Sequence, residues 1–285
     1  MNPARPIDTF VALGEQLYRI DRSWAHLGPG QVLDGVSQVA VDSHDRVYVF
    51  QRGDPPVVVF DQSGEYVGSW GTGMIADAHG IFITKDDRVL LVDRDGHQVI
   101  GFDRGGRRLW EIGERRNPRL QAPFNHPADV AVDPGSGHIY VADGYGNSAI
   151  HRFDSEGKYI LSWGHPGKGP SEFTTPHGVW IDASHRVLVA DRENDRLQIF
   201  DPDGRYLGEW RDLYHPMDIF VDVVGNIFVT DQIPRITMFS PDGTLVGRCK
   251  PVPIGGHGIC GDSMGNLYLS EVAPVNRVTK LVRLT

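Results

Sequence analysis

The sequence predicts an all-β protein: a six-bladed β-propeller of four-stranded antiparallel blades, whose last blade is closed by the N-terminal strand. Three observations lead to this prediction. A segment of two β-rich runs joined by a turn occurs six times, the copies are evenly spaced, and tryptophan marks one position of the unit. Glycine is abundant as well, with 34 residues in 285, as expected of a chain with many tight turns.

The recurring unit begins as a β-hairpin. Its six copies read VAVDSHDRVYVF, IFITKDDRVLLV, VAVDPGSGHIYV, VWIDASHRVLVA, IFVDVVGNIFVT and ICGDSMGNLYLS, each with two runs rich in Val, Ile, Phe and Tyr around a polar turn. A third run, a second turn and a fourth run follow in five copies. One turn position recurs every 40 to 49 residues, which is the period of a propeller blade, at Asp42, Thr84, Asp133, Asp182, Asp222 and Asp262.

The sixth copy lacks its fourth strand, since it ends after the run Arg277–Val282. The segment Leu17–Trp24 resembles the fourth strands of the other blades. Five of the six tryptophans share that position: Trp24, Trp70, Trp110, Trp163 and Trp210. We therefore expect the N-terminal strand, about residues 15–24, to complete the last blade and cover its open edge. The repeats, about residues 33–285, would form a single domain spanning 1–285.

Composition excludes several classes of function. The formal charge of −9 argues against a nucleic-acid partner, because phosphate binding needs a basic face. No apolar run approaches the roughly 18 to 20 residues of a membrane span, and Met1–Pro6 does not begin a secretory signal. Two cysteines, Cys249 and Cys260, are too few for a disulfide framework. We expect a cytoplasmic protein with a small-molecule substrate and leave its oligomeric state open.

Histidine alternates around the predicted ring, five residues before the turn position. Blades 2, 4 and 6 carry His79, His177 and His257 there, and blades 1, 3 and 5 carry Ser37, Ala128 and Met217. This position opens the innermost strand, which lines the central channel. Three imidazoles should therefore converge on the axis, as a catalytic zinc site requires. We predict Zn²⁺ or another divalent transition metal here, with plain polar lining of the channel as the alternative.

A second histidine register begins the motif His-Pro-x-Asp in blades 3 and 5. His126 is followed by Asp129, and His215 is followed by Asp218. These four residues are predicted to bind the substrate or to support the metal ligands near the same mouth. The alternative is a loop stop, in which the proline fixes the entry to the strand.

A third register follows the second strand of each blade: Gln51, Asp93, Asp143, Asp191, Asp231 and Glu271. Because an acidic or amide side chain recurs in every blade, a structural role in binding backbone N–H groups is favoured over catalysis. The residue types that come next vary between blades, and variation on a regular scaffold is typical of specificity. Arg52, Tyr145 and Arg192 are the chemically capable members at this position and are predicted to be catalytic.

Several segments together resemble peptidyl-α-hydroxyglycine α-amidating lyase, a six-bladed propeller of the NHL-repeat kind. They are Gln51–Asp54, Ala78–Gly80, Pro127–Pro134, Val141–Ser148, Thr175–Gly178 and Ala190–Asn194. The resemblance implies cleavage of the C–N bond of an α-hydroxyglycine, releasing an amide and glyoxylate, at a zinc held by three histidines. The matching positions are His79, His177 and His257 for the metal, Tyr145 for the active-site tyrosine, and Arg52 and Arg192 for the two important arginines.

The sequence departs from this family at two positions. Gly258 replaces an aspartate that helps to bind a structural Ca²⁺, which leaves that calcium site open, and Gly146 replaces a cysteine. We predict a metal-dependent lyase that acts on a carbinolamine-like small molecule rather than on a peptide hormone. Tyr145 would be its general base, with Arg52 stabilising the phenolate and Arg192 binding a carboxylate. The alternatives are a zinc-dependent hydrolase of an ester, lactone or amide, and a non-catalytic NHL-type interaction module.

Overall fold

A computed structural model describes residues 8–253 and 256–284. The N-terminal hairpin is β1 (Thr9–Leu13) and β2 (Gln16–Asp21). Blade 1 is β3 (Val36–Val41), β4 (Val47–Gln51), β5 (Val57–Phe60) and β6 (Tyr66–Trp70). Blade 2 is β7 (Ala78–Ile83), β8 (Val89–Asp93), β9 (Gln98–Phe102) and β10 (Arg108–Gly113). Blade 3 is β11 (Asp129–Val132), β12 (Ile139–Asp143), β13 (Ala149–Phe153) and β14 (Tyr159–Trp163).

A short parallel pair, β15 (His165–Pro166) and β16 (Glu172–Phe173), leads into blade 4. Blade 4 is β17 (Pro176–Ile181), β18 (Val187–Asp191), β19 (Arg196–Phe200) and β20 (Tyr206–Trp210), with a 3-10 turn at Arg192–Asn194. Blade 5 is β21 (Pro216–Val221), β22 (Ile227–Asp231), β23 (Arg235–Phe239) and β24 (Leu245–Cys249). Blade 6 contributes β25 (Gly256–Gly261), β26 (Leu267–Glu271) and β27 (Arg277–Arg283).

The six sheets confirm the predicted fold and the predicted closure. Blades 1 to 5 each hold four antiparallel strands in chain order, and the last sheet has the order β25-β26-β27-β2-β1. Strand β2 pairs antiparallel with β27, with Ile20 opposite Leu281, so the N-terminal segment supplies the fourth strand of blade 6. The closing strand is shorter than expected, and β1 adds a fifth strand outside it that the repeat pattern does not contain.

The hydrophobic core lies between neighbouring blades. Leu90 and Val92 of blade 2, for example, pack with Val130 and Val141 of blade 3 in one buried cluster. The second strand of each blade is buried along its whole length, because both of its faces are covered. The part of the chain that the structure describes has no helix long and apolar enough to span a membrane. Met1–Pro6, where we looked for a secretory signal, lies outside that part.

Tryptophans lie between most neighbouring blades, although the fourth strand of blade 5 carries Cys249 instead. Trp70 of blade 1 packs on Phe102 of blade 2, with ring centroids 5.1 Å apart. The predicted position of Trp24 in the fourth strand is wrong, since β2 ends at Asp21. Its ring nevertheless makes the same kind of contact, 5.5 Å from Phe60 of blade 1, because the chain crosses from blade 6 to blade 1 at this point. Gly64 faces it with φ +97, and an added Cβ would lie 1.8 Å from the Trp24 carbonyl oxygen.

The recurring acidic register has the structural role that its repetition indicated. Its six members are at most 3% exposed. The carboxylate of Asp93 accepts hydrogen bonds from the backbone N–H groups of Ala76, Asp77 and Gly96. Asp191 likewise accepts from the backbone of Thr174 and pairs with Arg196. These side chains therefore fix the loops that carry the residues around the channel mouth.

Candidate metal centre

Three histidines meet at one end of the central channel. His79, His177 and His257 are each the second residue of an inner strand, in blades 2, 4 and 6. Their ring centroids are 4.9, 5.0 and 5.1 Å apart, and one ligand nitrogen from each lies within 4.8 Å of the others. All three rings are buried. The alternation of histidine along the sequence thus corresponds to a three-sided cluster in space.

The odd-numbered blades support the strands that carry the histidines. They do so through the side chain at the position directly after the one that is histidine in the even-numbered blades. Asp129 Oδ2 accepts the backbone N–H of Val179 at 2.9 Å, and Asp218 Oδ2 accepts that of Ile259 at 2.8 Å. Both carboxylates are buried, and burial raises the pKa of Asp218 to about 6. Burial and the charge of Asp218 also raise the pKa of Asp129 well above its usual value. Asp129 and Asp218 thus support the backbone of the strands that carry His177 and His257, and contact of either carboxylate with a substrate stays a prediction.

His79 and His177 are held in the neutral form that can ligate a metal. Nδ1 of His79 lies 2.7 Å from the carbonyl oxygen of Ala128, and Nδ1 of His177 lies 2.7 Å from that of Met217. Because a carbonyl oxygen only accepts, each Nδ1 carries the proton and each Nε2 presents a lone pair. Burial lowers the pKa of both rings well below the usual range. Burial, with the charges of Arg52 and Arg192, lowers the pKa of His257 to about 3.

Tyr145 sits at the centre of this arrangement. Its hydroxyl oxygen lies 2.9 Å from His79 Nε2 and 3.0 Å from His177 Nε2. Both nitrogens are acceptors, whereas a phenol can donate only one hydrogen bond. One of the two nitrogen lone pairs therefore has no hydrogen-bond donor. A cation placed among the rings satisfies these lone pairs. Three neutral imidazole nitrogens are a donor set suited to zinc or another divalent transition metal. The metal itself stays a prediction.

Arginines surround the tyrosine, but not as expected. Arg192 Nη1 donates to the Tyr145 hydroxyl at 3.4 Å, and its Cζ lies 5.3 Å from the ring centroid. Arg94, which we did not select from the sequence, places its Cζ 5.2 Å from the same centroid. Arg52 instead donates from Nε to Asp77 Oδ1 at 2.9 Å, while Arg94 Nε lies 3.0 Å from Asp77 Oδ2. In the part of the chain that the structure describes, Arg52 makes no hydrogen bond to Tyr145, and stabilisation of a phenolate by Arg52 stays a prediction.

Arg94 could have been found from the sequence, because it occupies the same register in blade 2 as Arg52 in blade 1 and Arg192 in blade 4. The variation of residue type at that register was the signal. The sequence did not indicate that Arg94 would lie over the ring of Tyr145, because Tyr145 belongs to the next blade.

His126 and His215 support the loops around the mouth. The carbonyl oxygen of His126 accepts the backbone N–H of Tyr145 at 3.2 Å, which fixes the start of that side chain. His126 Nδ1 lies 2.8 Å from the side-chain oxygen of Asn125. His215 Nδ1 lies 3.2 Å from the carbonyl oxygen of Arg192. Each histidine thus contacts the loop of a residue that lies at the histidine cluster, and substrate contact by either ring stays a prediction.

The calcium site implied by the resemblance does not fit this chain. At Gly258, the position of the calcium-binding aspartate, an added Cβ would lie 2.6 Å from Gln38 Cγ and 2.9 Å from both Gln38 Cα and Ser270 Oγ. These distances are well below ordinary van der Waals contact, so the backbone leaves no room for a side chain. We assign no function to calcium here.

The sequence is similar to those of known β-propeller proteins. Residues 131–226 match a protein family, DUF5128, described as a 6-bladed beta-propeller. NHL repeat-containing protein 3 of Homo sapiens is 31% identical over 243 residues, covering 80% of this chain and 65% of that protein. Peptidylglycine alpha-amidating monooxygenase of Rattus norvegicus is 28% identical over 312 residues, covering 92% of this chain and 31% of that protein. This chain thus spans less than two thirds of the length of either relative.

One further relative is similar in sequence, and one solved structure is similar in fold. A probable peptidyl-alpha-hydroxyglycine alpha-amidating lyase of Caenorhabditis elegans is 35% identical over 149 residues, covering 50% of this chain and 42% of that protein. A gluconolactonase structure from Xanthomonas campestris superposes with a TM-score of 0.73 at 14% identity, over 94% of this chain and 90% of that one, which shows a shared fold alone. The chain is a six-bladed β-propeller with homologues among NHL repeat proteins and peptidyl-α-hydroxyglycine amidating lyases.

Proposed function

We propose that this protein is a metal-dependent lyase that cleaves the C–N bond of a small N-acyl-α-hydroxyglycine, yielding an amide and glyoxylate. One observation carries the proposal: the Tyr145 hydroxyl lies between two neutral histidine nitrogens and within reach of Arg192. This combines a metal-binding cluster with a proton acceptor a few ångströms away. Homology to amidating lyases supports the same reaction class.

The metal would be held by His79, His177 and His257. When bound, it supplies Lewis-acid chemistry, polarising the substrate hydroxyl and lowering the pKa of that group. Tyr145, as the phenolate, accepts the hydroxyl proton at its oxygen. The electron pair left on the substrate oxygen forms the C=O bond of glyoxylate as the C–N bond breaks. The departing nitrogen takes the electrons of that bond and recovers the proton from Tyr145, so no water is consumed.

The arginines have distinct roles in this scheme. The N–H of Arg192 at the Tyr145 hydroxyl and the guanidinium of Arg94 over the ring hold this side chain in place. Arg52 donates a hydrogen bond from Nε to Asp77, and its terminal nitrogens make none within residues 8–253 and 256–284. We assign these free nitrogens to the substrate carboxylate, because a guanidinium binds a carboxylate with two parallel hydrogen bonds.

The substitution His177→Ala tests the site. It should abolish both stoichiometric zinc in the purified protein and release of glyoxylate from an N-acyl-α-hydroxyglycine such as α-hydroxyhippurate. His165→Ala is the matched control, because the imidazole of His165 is 65% exposed and paired with Glu172 instead. It should keep zinc and turnover. Full turnover by a metal-free His177→Ala protein would refute the scheme.

Product analysis in ¹⁸O-labelled water separates this reaction from metal-dependent hydrolysis. A hydrolase incorporates the label into an acid product, whereas the lyase forms an unlabelled amide. Glyoxylate needs a control for exchange of its carbonyl oxygen with solvent. Label in the carboxylic acid of the acyl fragment, with no amide formed, would replace the lyase by a hydrolase at the same three histidines.

A further inference from the structure

A single carboxylate at the mouth of the channel holds two arginines. Asp77 Oδ1 accepts a hydrogen bond from Arg52 Nε at 2.9 Å, and Asp77 Oδ2 lies 3.0 Å from Arg94 Nε. The main chain of Asp77 is fixed as well, because its N–H donates to Asp93 Oδ1 at 2.9 Å and its carbonyl oxygen accepts the Arg94 N–H at 3.0 Å. With 12% of its side chain exposed, Asp77 is a largely buried link between the loops of blades 1 and 2.

The outer ends of both arginines are free. Arg94 Nε donates to Asp95 Oδ1 at 3.0 Å, and among the residues that the structure describes neither Arg52 nor Arg94 makes a hydrogen bond through Nη1 or Nη2. Arg94 also covers the ring of Tyr145, whose hydroxyl lies 2.9 Å from His79 Nε2. Contact with the face of a ring uses none of the N–H donors of a guanidinium. Both side chains are partly exposed, so a ligand at the histidine cluster can reach these nitrogens.

We propose that Arg94 binds the substrate carboxylate together with Arg52, and that Asp77 is the positioning residue that holds the two guanidinium groups as a pair. The inference deepens the proposed function and rests on it for the substrate. One guanidinium occupies two of the roughly four lone-pair sites of a carboxylate, which leaves sites for a second guanidinium. An ester or amide at the same carbon carries no negative charge, so neither contact is charge-assisted. The pair therefore selects substrates with a free carboxylate on the carbinol carbon.

The substitution Arg94→Met tests the pair, because methionine can still cover the Tyr145 ring but cannot bind an anion. The measured quantity is the preference for α-hydroxyhippurate over its methyl ester, expressed as the ratio of the two kcat/KM values. We expect this ratio to fall about 10- to 100-fold, mainly through KM of the acid, as for loss of a hydrogen bond to a charged group. Arg88→Met is the matched control, since Arg88 pairs with Asp86 in the turn between β7 and β8. It should leave the ratio unchanged. An unchanged ratio in Arg94→Met overturns the proposal.

Asp77→Asn tests the positioning role separately. The substitution keeps the shape of the side chain but removes the charge that holds both Nε groups. Because both guanidinium groups remain, the preference for the acid should fall less, about 3- to 10-fold, while zinc content stays stoichiometric. Asp86→Asn, which removes the matched pairing with Arg88, should not change the preference. A zinc-loaded Asp77→Asn protein with the original preference would show that Asp77 does not position the arginines.

Binding of hippurate, which lacks the reacting hydroxyl group, keeps this inference distinct from the proposed function. In calorimetric titrations hippurate should bind the unsubstituted protein more tightly than methyl hippurate does, and Arg94→Met should weaken hippurate binding about 10- to 100-fold. If hippurate binds in this way but no glyoxylate is released from α-hydroxyhippurate, the proposed function fails and the carboxylate site stands. If glyoxylate is released but hippurate binds equally to both proteins, or to neither, the inference fails and the proposed function stands.

Discussion

The glycine after each metal-site histidine gives a sharp test of how the channel is built. At Gly80, an added Cβ would lie 2.7 Å from the Ala128 carbonyl oxygen, 2.9 Å from Asp129 Oδ1 and 3.0 Å from Asp129 Cα. Two of these atoms are backbone and cannot rotate away. Reaching an ordinary contact of about 3.4 Å requires blades 2 and 3 to separate by about 0.7 Å at the carbonyl. That carbonyl also binds His79 Nδ1.

Gly80→Ala should therefore have two effects. The free energy of unfolding should fall by about 1–3 kcal/mol, the usual cost of overpacking. Zinc affinity should fall at least about tenfold, since the Nδ1 hydrogen bond of His79 is stretched. Gly68→Ala is the matched control: Gly68 is also a strand glycine, in β6, but its added Cβ meets nothing within 4 Å. It should be neutral or raise the free energy of unfolding by about 0.5 kcal/mol.

Urea unfolding and chelator competition on both variants measure these quantities. If Gly80→Ala and Gly68→Ala have the same stability and zinc affinity, then close packing of the inner strands does not position the histidines, and our account of the channel wall is wrong. Loss of stability without loss of zinc affinity would separate the packing from the ligand geometry and refute the second step alone.

Three further perturbations probe other parts of the structure. Asp218→Asn should lower the free energy of unfolding more at pH 4 than at pH 8, because its amide NH₂ faces a buried backbone N–H at any pH, whereas the native carboxyl titrates near pH 6 and ionises at a cost above it; a pH-independent difference in urea unfolding would contradict this. Gly64→Ala should cost about 2–5 kcal/mol in thermal unfolding, through its positive φ and its clash with Trp24, while Gly30→Ala, with φ +79 and nothing within 4 Å, isolates the backbone part. Tyr145→Phe should retain zinc but slow glyoxylate release about 10²- to 10⁴-fold, and unchanged turnover would exclude Tyr145 as the base.

The sequence was most informative where the repeat imposes a common geometry. Alignment of the six copies was enough to predict that His79, His177 and His257 lie at one end of the channel. Residues at the same position of each repeat lie at the same height in a propeller. The same alignment predicted that β2 would complete blade 6. Strand β1 was missed because it lies outside the four-stranded repeat.

The sequence was least informative where a side chain is directed by neighbours that the repeat does not specify. Asp129 and Asp218 bind backbone N–H groups of the following blade, a contact that their distance from a histidine in sequence does not reveal. Arg52 was assigned to the tyrosine, but Asp77, in the loop before blade 2, holds its Nε instead. Long charged side chains have many rotamers, so their partners are decided by tertiary structure rather than by register.

The pairing of β2 with β27 has a consequence for biosynthesis. During translation, β2 is made before the strands of blades 1 to 5, whereas its partner β27 is made after them. Five blades contain all of their strands consecutively and have their partners as soon as they leave the ribosome. Blade 6 can be completed only after β27 has been made. His257 therefore reaches its place beside the other two histidines only then. Assembly of the histidine cluster should therefore be the last event of folding, which would delay capture of the proposed metal until the whole ring has been synthesised.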